Sequence, residues 1–380
     1  MILKIADNIT SPLGGTTREN YEAVLEGRSC LRLYEGRWGV PEPFMASLFA
    51  DDDIDSRFAA LSSDKGRYSR FEKVCILSIA DALNAAPHVD IASPRTLLIV
   101  STTKGNVEQL GQDPVPESVL LATAAQNIGS YFGKKASTTV VSNACISGVC
   151  AQIVAHRALE SGRYDNAVVA GADVQSRFII SGFQSFKALS QQECKPFDAD
   201  RKGLNLGEAA ATIIYGRSDG ELDSSTWHAV RGAIRNDANH ISGPSRTGEG
   251  CFRAMRVCIK DFDTRRIGLV NAHGTATLYN DEMEAIAIDR MGLSQTPVNT
   301  FKGYYGHTMG AAGVLETILS MWSLDHGKIL PTRGYHTHGV SAPINVTSQL
   351  THTTADAFIK IMSGFGGCNA AMLFTKGGAR

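Results

Sequence analysis

The sequence predicts an α/β fold with largely buried sheets, and three observations carry that expectation. Short β-branched apolar runs alternate with longer stretches of helical pattern, as in sheets covered by helices. At 380 residues the chain is long enough for two subdomains, because a single core stops growing near roughly 250 to 300 residues. Finally, the strand-like run TTVVSN leads into Cys145 and an apolar helix, and the run PVNTF later leads through a turn into His307 and a helix of similar length. That repetition hints at an internal duplication.

Strands are expected over Thr96–Ser101, Thr138–Asn143, Ala167–Ala170, Ala209–Tyr215, Ile267–Ala272, Pro297–Thr300, Ala357–Met362 and Ala370–Thr375, each a short apolar run rich in β-branched or small residues. Helices are expected over Arg70–Ala85, Pro116–Phe132, Cys145–Ser161, Gly248–Phe262, Asp281–Met291 and His307–His326. The polar stretch Arg217–Thr226, rich in Asp, Gly and Ser, is the natural crossing point. It divides an N-terminal half, 1–216, carrying Cys145, from a C-terminal half, 217–380, carrying His273 and His307.

Composition narrows the function. With 37 basic and 38 acidic side chains and a formal net charge of −1, no chain-wide field attracts nucleic acid or anionic lipid. Polar residues interrupt every apolar stretch before membrane-spanning length and no signal segment is visible, so the expected compartment is the cytoplasm, without membrane insertion. Eight cysteines without paired spacing or C-x-x-C read as reduced thiols, not as a disulfide framework or a zinc site. His336 and His338 lack further ligands at set spacing and read as a surface loop, so no metal is expected. No nucleotide-binding glycine loop stands at a strand-helix junction.

Three residues stand in frames that suggest chemistry. Cys145, in SNACISG, follows a strand and opens a helix, where free N–H groups and the helix dipole are expected to lower a thiol's pKa. Small neighbours Ala144, Ser147 and Gly148 allow close approach there. His273 ends the strand IGLVNA and precedes Gly274-Thr275-Ala276-Thr277, a turn whose hydroxyls can face a ligand. His307 follows Gly306 and precedes the small residues Gly310 to Gly313.

The set resembles the elongating β-ketoacyl-acyl carrier protein synthases of the thiolase superfamily. Ser11-Pro12-Leu13-Gly14 with Leu25 to Ser29, then Ser69-Arg70-Phe71, Pro196-Phe197-Asp198 with Arg201 and Gly203, Gly207-Glu208, and Gly364-Phe365-Gly366-Gly367-Cys368-Asn369 are similar to motifs of that family, in its order and at about its spacing. The resemblance implies a thiolase-like duplicated αβαβα layered fold with two mixed sheets. It implies decarboxylating Claisen condensation of an acyl chain on Cys145 with malonyl-acyl carrier protein, in fatty-acid or specialised polyketide or polyene elongation. The rival readings are a thiolase-like or chain-initiating acyl-CoA enzyme and a non-catalytic chain-length partner subunit.

By the same resemblance Cys145, His273 and His307 are catalytic, Lys302 with Asp281, Glu284 and Glu316 forms a charged network behind the histidines, and Thr275 and Thr277 hold a phosphopantetheine arm. Phe365 gates the nucleophile, and its N–H joins that of Cys145 as an oxyanion hole. No tightly bound cofactor is implied, since phosphopantetheine arrives on the carrier. The implied partners are acyl carrier protein, acyl and malonyl thioesters, and a second subunit, either identical or a paralogue. Acidic carriers require basic residues at the pocket mouth, with Arg67, Arg70, Lys134, Lys135 and Lys202 as candidates. The chain departs from the family at Asn271, Ala276 and Ser363, and at Lys104, which stands in place of a glycine-rich segment where an acyl pocket would end.

Overall fold

A computed structural model describes residues 1–63, 66–220, 224–241 and 243–377, and a mixed sheet of 11 strands forms its frame. In chain order these are β1 Ile2–Thr10, β2 Thr96–Ser101, β3 Thr139–Val141, β4 Asn166–Asp173, β5 Ala209–Arg217, β6 Trp227–Asn236, β7 Ile267–Asn271, β8 Pro297–Asn299, β9 Asn345–Val346, β10 Ala357–Gly364 and β11 Cys368–Lys376. Their spatial order is β9-β8-β7-β10-β11-β6-β1-β5-β4-β2-β3. The N-terminal half places three parallel strands outside, β3-β2-β4, and the C-terminal half four, β9-β8-β7-β10; each set is followed inward by antiparallel strands, β5-β1 or β11-β6. The expected duplication is therefore present. The two expected sheets meet edge to edge, because Ile2 and Leu3 pair with Ala229 and His228 and make one sheet of them.

Among the described residues the main helices on the sheet are α1 Arg70–Asn84, α2 Leu121–Tyr131, α3 Ser147–Glu160, α4 Glu249–Cys258, α5 Leu278–Arg290 and α6 Ala312–Asp325. Ser69 and Glu72 close a capping box that fixes where α1 begins. Alternation along the strands sorts the core into layers. Leu97, Ile99 and Phe358 join Val149, Ile153, Val314 and Ile318 of α3 and α6 in a central core. Leu98 and Val100 face α1 and α2 instead, whereas Val270 and Ile359 face α4 and α5. The result is the αβαβα order. Among the described residues no helix is long and apolar enough to cross a membrane.

The central helices approach closely through glycine. A Cβ on Gly313 would lie 2.5 Å from Val149 N, and one on Gly148 would lie 3.0 Å from Gly310 O. These contacts are to backbone, which has little freedom to yield. Gly313→Ala is expected to destabilise the protein by roughly 2 kcal/mol or more through overpacking, read as a lower urea midpoint at unchanged m-value.

Several boundaries differ from expectation for local reasons. Cys145 and His307 do not open helices: α3 begins at Ser147 and α6 at Ala312. Ala144 at φ 44° and Gly306 at φ 68° break the helical path, so Cys145 and His307 both lie in turns. The expected helix from Pro116 is a 3-10 turn, Glu117–Val119, followed by α2, because Leu120 between them is extended. β1 and β6 were not expected; Lys4, Asp7, Arg231 and Arg235 interrupt their apolar pattern. Lys4 is accommodated by its ion pair with Asp7 at 2.5 Å. β5 ends at Arg217 and β6 starts at Trp227, and of the polar stretch between them residues 221–223 lie outside the described ones.

Candidate active site

The duplication brings the two halves' corresponding turns together. Cys145 follows β3 and His307 follows β8, the matching strand of the other half, while His273 follows the neighbouring β7. The Cys145 elbow is closed by Ser147, whose Oγ accepts from Asn143 N at 2.8 Å and donates to Ala144 O at 2.6 Å. Across from it a Cβ on Gly364 would stand 3.1 Å from Cys145 N, so glycine there lets the end of β10 pass beside the sulfur. The Phe365 N–H lies near the Cys145 sulfur and favours its thiolate form.

Burial governs the thiol. Desolvation pushes Cys145 up to about 12, the Cys368 thiol adds to this, and Lys302, Lys104 and the Phe365 N–H pull in the other direction. The helix start was expected to lower this pKa. Protein atoms crowd the sulfur at the end of its channel and leave it poorly solvated, and its turn lies ahead of α3 instead of forming the first helical residue. The resting site therefore holds a thiol.

Two buried acids shape the His273 turn. Glu284 Oε1 accepts from His273 N at 2.7 Å and Oε2 from Gly274 N at 2.8 Å. Asp281 Oδ1 accepts from Thr275 N at 3.0 Å and Oδ2 from Phe197 N at 2.7 Å. Thus the acids bind backbone donors of the turn and tie it to the Pro196-Phe197-Asp198 loop, and neither forms an ion pair with Lys302. Burial raises Asp281 to about 6, and burial with the neighbouring Asp281 raises Glu284 to about 7. Lys302 and Glu316 do pair directly, both buried.

His307 N donates to Asn205 O at 2.7 Å, and its Nδ1 accepts from Met309 N at 3.2 Å. That contact assigns the ring proton of neutral His307 to Nε2. The rings of His273 and His307 meet edge to face, centroids 4.9 Å apart at 82°. Cys145 Sγ and one nitrogen of each ring lie within 4.8 Å of one another. Burial first, then the Lys302 charge, holds both imidazoles well below their ordinary pKa, with Lys360 adding to the effect. His273 Nδ1 and His307 Nε2 are buried without a hydrogen-bond partner among the described residues. Two neutral imidazoles with free buried nitrogens beside a thiol form a site awaiting a polar ligand.

A channel of about 440 Å³ opens onto these three residues, lined in part by Thr275, Thr277, Lys187, Lys202 and Phe365. The Thr275 and Thr277 hydroxyls are 2.9 Å apart. Phe365 is partly exposed and stands between Phe183 and Phe186, at centroid distances of 5.8 and 5.4 Å. Of the basic candidates for the mouth, Lys202 lines the channel. Lys134 does not: its ammonium is buried against the carbonyls of Ile91, Ser93 and Thr96. Arg70 is turned to Glu208. Lys187, not singled out in the sequence, replaces them.

The departures from the family pattern are absorbed locally. Asn271 Nδ2 donates to Asn299 Oδ1 at 2.8 Å, and Ser363 Oγ to Asn369 Oδ1 at 2.8 Å. Ala276 takes φ 63°, a conformation suited to the glycine that the family has there. Lys104 N donates to the buried Asp173, and its Nζ to Thr103 O at 3.3 Å. One functional candidate escaped sequence reasoning altogether: Lys360, whose ammonium meets Glu316 Oε2 at 2.5 Å with no exposed side chain. A lysine inside the apolar run FIKIM was its signal.

A duplicated layered fold with a cysteine on one half facing two imidazoles from the other places this protein among the condensing enzymes of the thiolase superfamily. The chain belongs to the beta-ketoacyl synthase family: the profile of that family's N-terminal domain matches residues 4–219 and the profile of its C-terminal domain matches residues 229–336. It is 30% identical over 269 residues to nodulation protein E of Rhizobium leguminosarum bv. trifolii, a match spanning 67% of this chain and 65% of that protein. Among solved structures it resembles a beta-ketoacyl synthase from Burkholderia phymatum, with TM-score 0.86, 23% identity and 99% of both chains covered. It also resembles a ketosynthase solved in complex with its chain length factor from Xenorhabdus doucetiae, with TM-score 0.84, 23% identity and 99% and 98% of the two chains covered.

Proposed function

We propose that the protein elongates an acyl chain by decarboxylating Claisen condensation with a malonyl thioester carried on an acyl carrier protein. The observation that carries this reading is the convergence of Cys145 Sγ with the two imidazoles at the end of one channel. In the first stage Cys145 attacks the carrier thioester. A carbon-sulfur bond to Cys145 forms, the bond to the carrier breaks, and the thiol's proton ends on the departing carrier thiolate. Because the thiol is un-ionised at rest, its proton must leave as the sulfur attacks, and a neutral imidazole is the base within reach.

In the second stage the malonyl thioester enters, with Thr275 and Thr277 holding its phosphopantetheine arm. Its carbonyl oxygen lies against His273 and His307, which stabilise the enolate as the carbon-carboxylate bond breaks and carbon dioxide leaves. The carbanion attacks the acyl-cysteine, and the Cys145 and Phe365 N–H groups hold the oxyanion. Collapse returns the sulfur and releases a 3-oxoacyl carrier protein. Lys302 and Glu316 set the field behind the imidazoles, and Asp281 and Glu284 hold the His273 turn. Phe365 gates the channel between the two stages. In this scheme 1–216 supplies the nucleophile and 217–380 the imidazoles, and no tightly bound cofactor takes part.

Intact-protein mass spectrometry after incubation with a panel of acyl carrier thioesters tests the reading. An adduct on Cys145 followed by a 3-oxoacyl product with malonyl carrier supports it, and the absence of any adduct across the panel removes it. We further propose a dimer, either of identical chains or with a paralogue, supported by the neighbour solved with its chain length factor.

The carrier is acidic in this reading, and the mouth residues Lys187 and Lys202 are exposed. Reversing both, as Lys187→Glu with Lys202→Glu, is expected to raise KM for carrier-bound substrate about 10-fold or more at low salt, an effect that shrinks as salt rises. Turnover of a small pantetheine thioester stays within about two-fold, since these charges steer the carrier and not the reacting atoms. Equal response of both substrates, with no salt dependence, would favour a coenzyme A thioester as the natural donor.

A further inference from the structure

Lys360 stands on β10, four residues before Gly364, in a run whose neighbours Ile359, Ile361 and Met362 are apolar core. Its Nζ donates to Glu316 Oε2 at 2.5 Å, to Ala272 O at 3.2 Å and to Asn271 O at 3.5 Å. The other oxygen of Glu316 takes Lys302. One carboxylate therefore bridges two buried ammonium groups, one on the strand that ends beside Cys145 and one on the turn that leads to His307. Burying a second cation on a shared partner is costly, and an apolar residue of similar volume commonly serves stability at least as well. Packing alone does not explain this lysine.

Its surroundings do. Ala272 and Asn271 are the last two residues before His273, so the ammonium grips the backbone from which that imidazole projects. The charged and titratable groups facing it are Glu316 from α6, Lys302 from the turn ahead of His307, and Glu284 from α5. In turn, its charge bears on His273 and on His307. We propose that Lys360 is a positioning residue of the condensation site: it ties the chain ahead of His273 to Glu316 and, beside Lys302, supplies a second buried cation that keeps both imidazoles in their neutral form. The inference rests on the reading of those imidazoles as the groups that activate the malonyl thioester. Burial pushes the Lys360 ammonium down to about 8, with Glu316 opposing. It is therefore charged throughout the range in which a histidine titrates.

The test needs no turnover. Protein labelled with 15N-histidine is titrated by NMR, with the His273 and His307 signals assigned from single His→Asn variants. In the wild type both rings stay neutral well below pH 6.5. Removing a nearby cation makes protonation easier, so Lys360→Met is expected to raise at least one of the two midpoints by about one pH unit, while Lys360→Arg leaves both where they were. Lys360→Gln, also neutral, carries the same test if the Met variant does not fold. Midpoints unmoved in the folded neutral variant, or moved equally by Arg, overturn the proposal. Failure of the condensation reading would show separately, as a wild-type protein that releases no carbon dioxide from malonyl carrier protein, and the titration would still report on Lys360.

Discussion

Cys145→Ala is expected to abolish covalent acylation, lowering adduct formation from acyl carrier thioesters on the order of 10³-fold or more, whereas Cys150→Ala and Cys368→Ala still load. The comparison with Cys368 is the demanding one. Its sulfur lies 3.4 Å from Phe365 O, and its thiol bears directly on Cys145. Both thiols are pushed up by burial, Cys368 to about 11 and Cys145 to about 12. Resting acidity thus does not favour Cys145 over Cys368. What separates them is placement: Cys145 lines the channel and faces both imidazoles, and Cys368 does neither. In the proposed mechanism nucleophilicity comes from the groups that remove the proton and hold the oxyanion as the bond forms. Intact mass with peptide mapping reads the result, and acylation surviving in the Cys145 variant would show that the channel geometry had been misassigned.

How much of this site was legible beforehand follows from what each residue depends on. Cys145, His273 and His307 sit in frames of glycine, alanine and threonine that local sequence displays, since close backbone passage demands small residues wherever they occur. The thiol's acidity was misread because a helix terminus is local whereas burial is tertiary: β10, Gly364 and the partner half crowd the sulfur and leave it poorly solvated. Asp281 and Glu284 were visible as acids in a first helical turn, but only the folded loop shows that their oxygens serve the N–H groups of residues 197, 273, 274 and 275. β1 and β6 escaped because strands at the junction of two half-sheets tolerate Lys4 or Arg231, which breaks the apolar run on which strand reading depends. Lys134 shows the reverse error. A basic residue that its sequence offers as mouth charge instead donates its ammonium to the carbonyls of Ile91, Ser93 and Thr96.

Replacing either imidazole is expected to separate the two stages of the proposed reaction. His273→Ala or His307→Ala is expected to slow release of carbon dioxide from malonyl carrier protein by about 10² to 10³-fold, the scale of losing one preorganised donor to a developing oxyanion. Loading of Cys145 should fall by less than about 10-fold, because one imidazole remains as base. Measuring decarboxylation in a Cys145→Ala background removes loading from the signal. The pH dependence then carries a sign. Burial and the charges of Lys302 and Lys360 hold both imidazoles well below 6.5, so they remain neutral, with Nε2 of His307 able to donate, until the solution is distinctly acidic. The rings themselves should therefore cause no loss of decarboxylation centred at pH 6.5, only a loss at lower pH as they finally protonate or the fold gives way. Because the unfolded histidines bind protons near 6.5 and the folded ones do not, these two rings also make stability fall as pH drops below that value. An acidic limb near 6 to 7 that is matched by ring protonation in the 15N-histidine titration would mean that the rings titrate like exposed histidines, whereas a limb with the rings still neutral would report on Asp281 and Glu284, which burial raises to about 6 and about 7. Loading that fails before decarboxylation in both variants would recast one ring as the indispensable base for Cys145. Undiminished condensation by both would leave the imidazoles a structural part only.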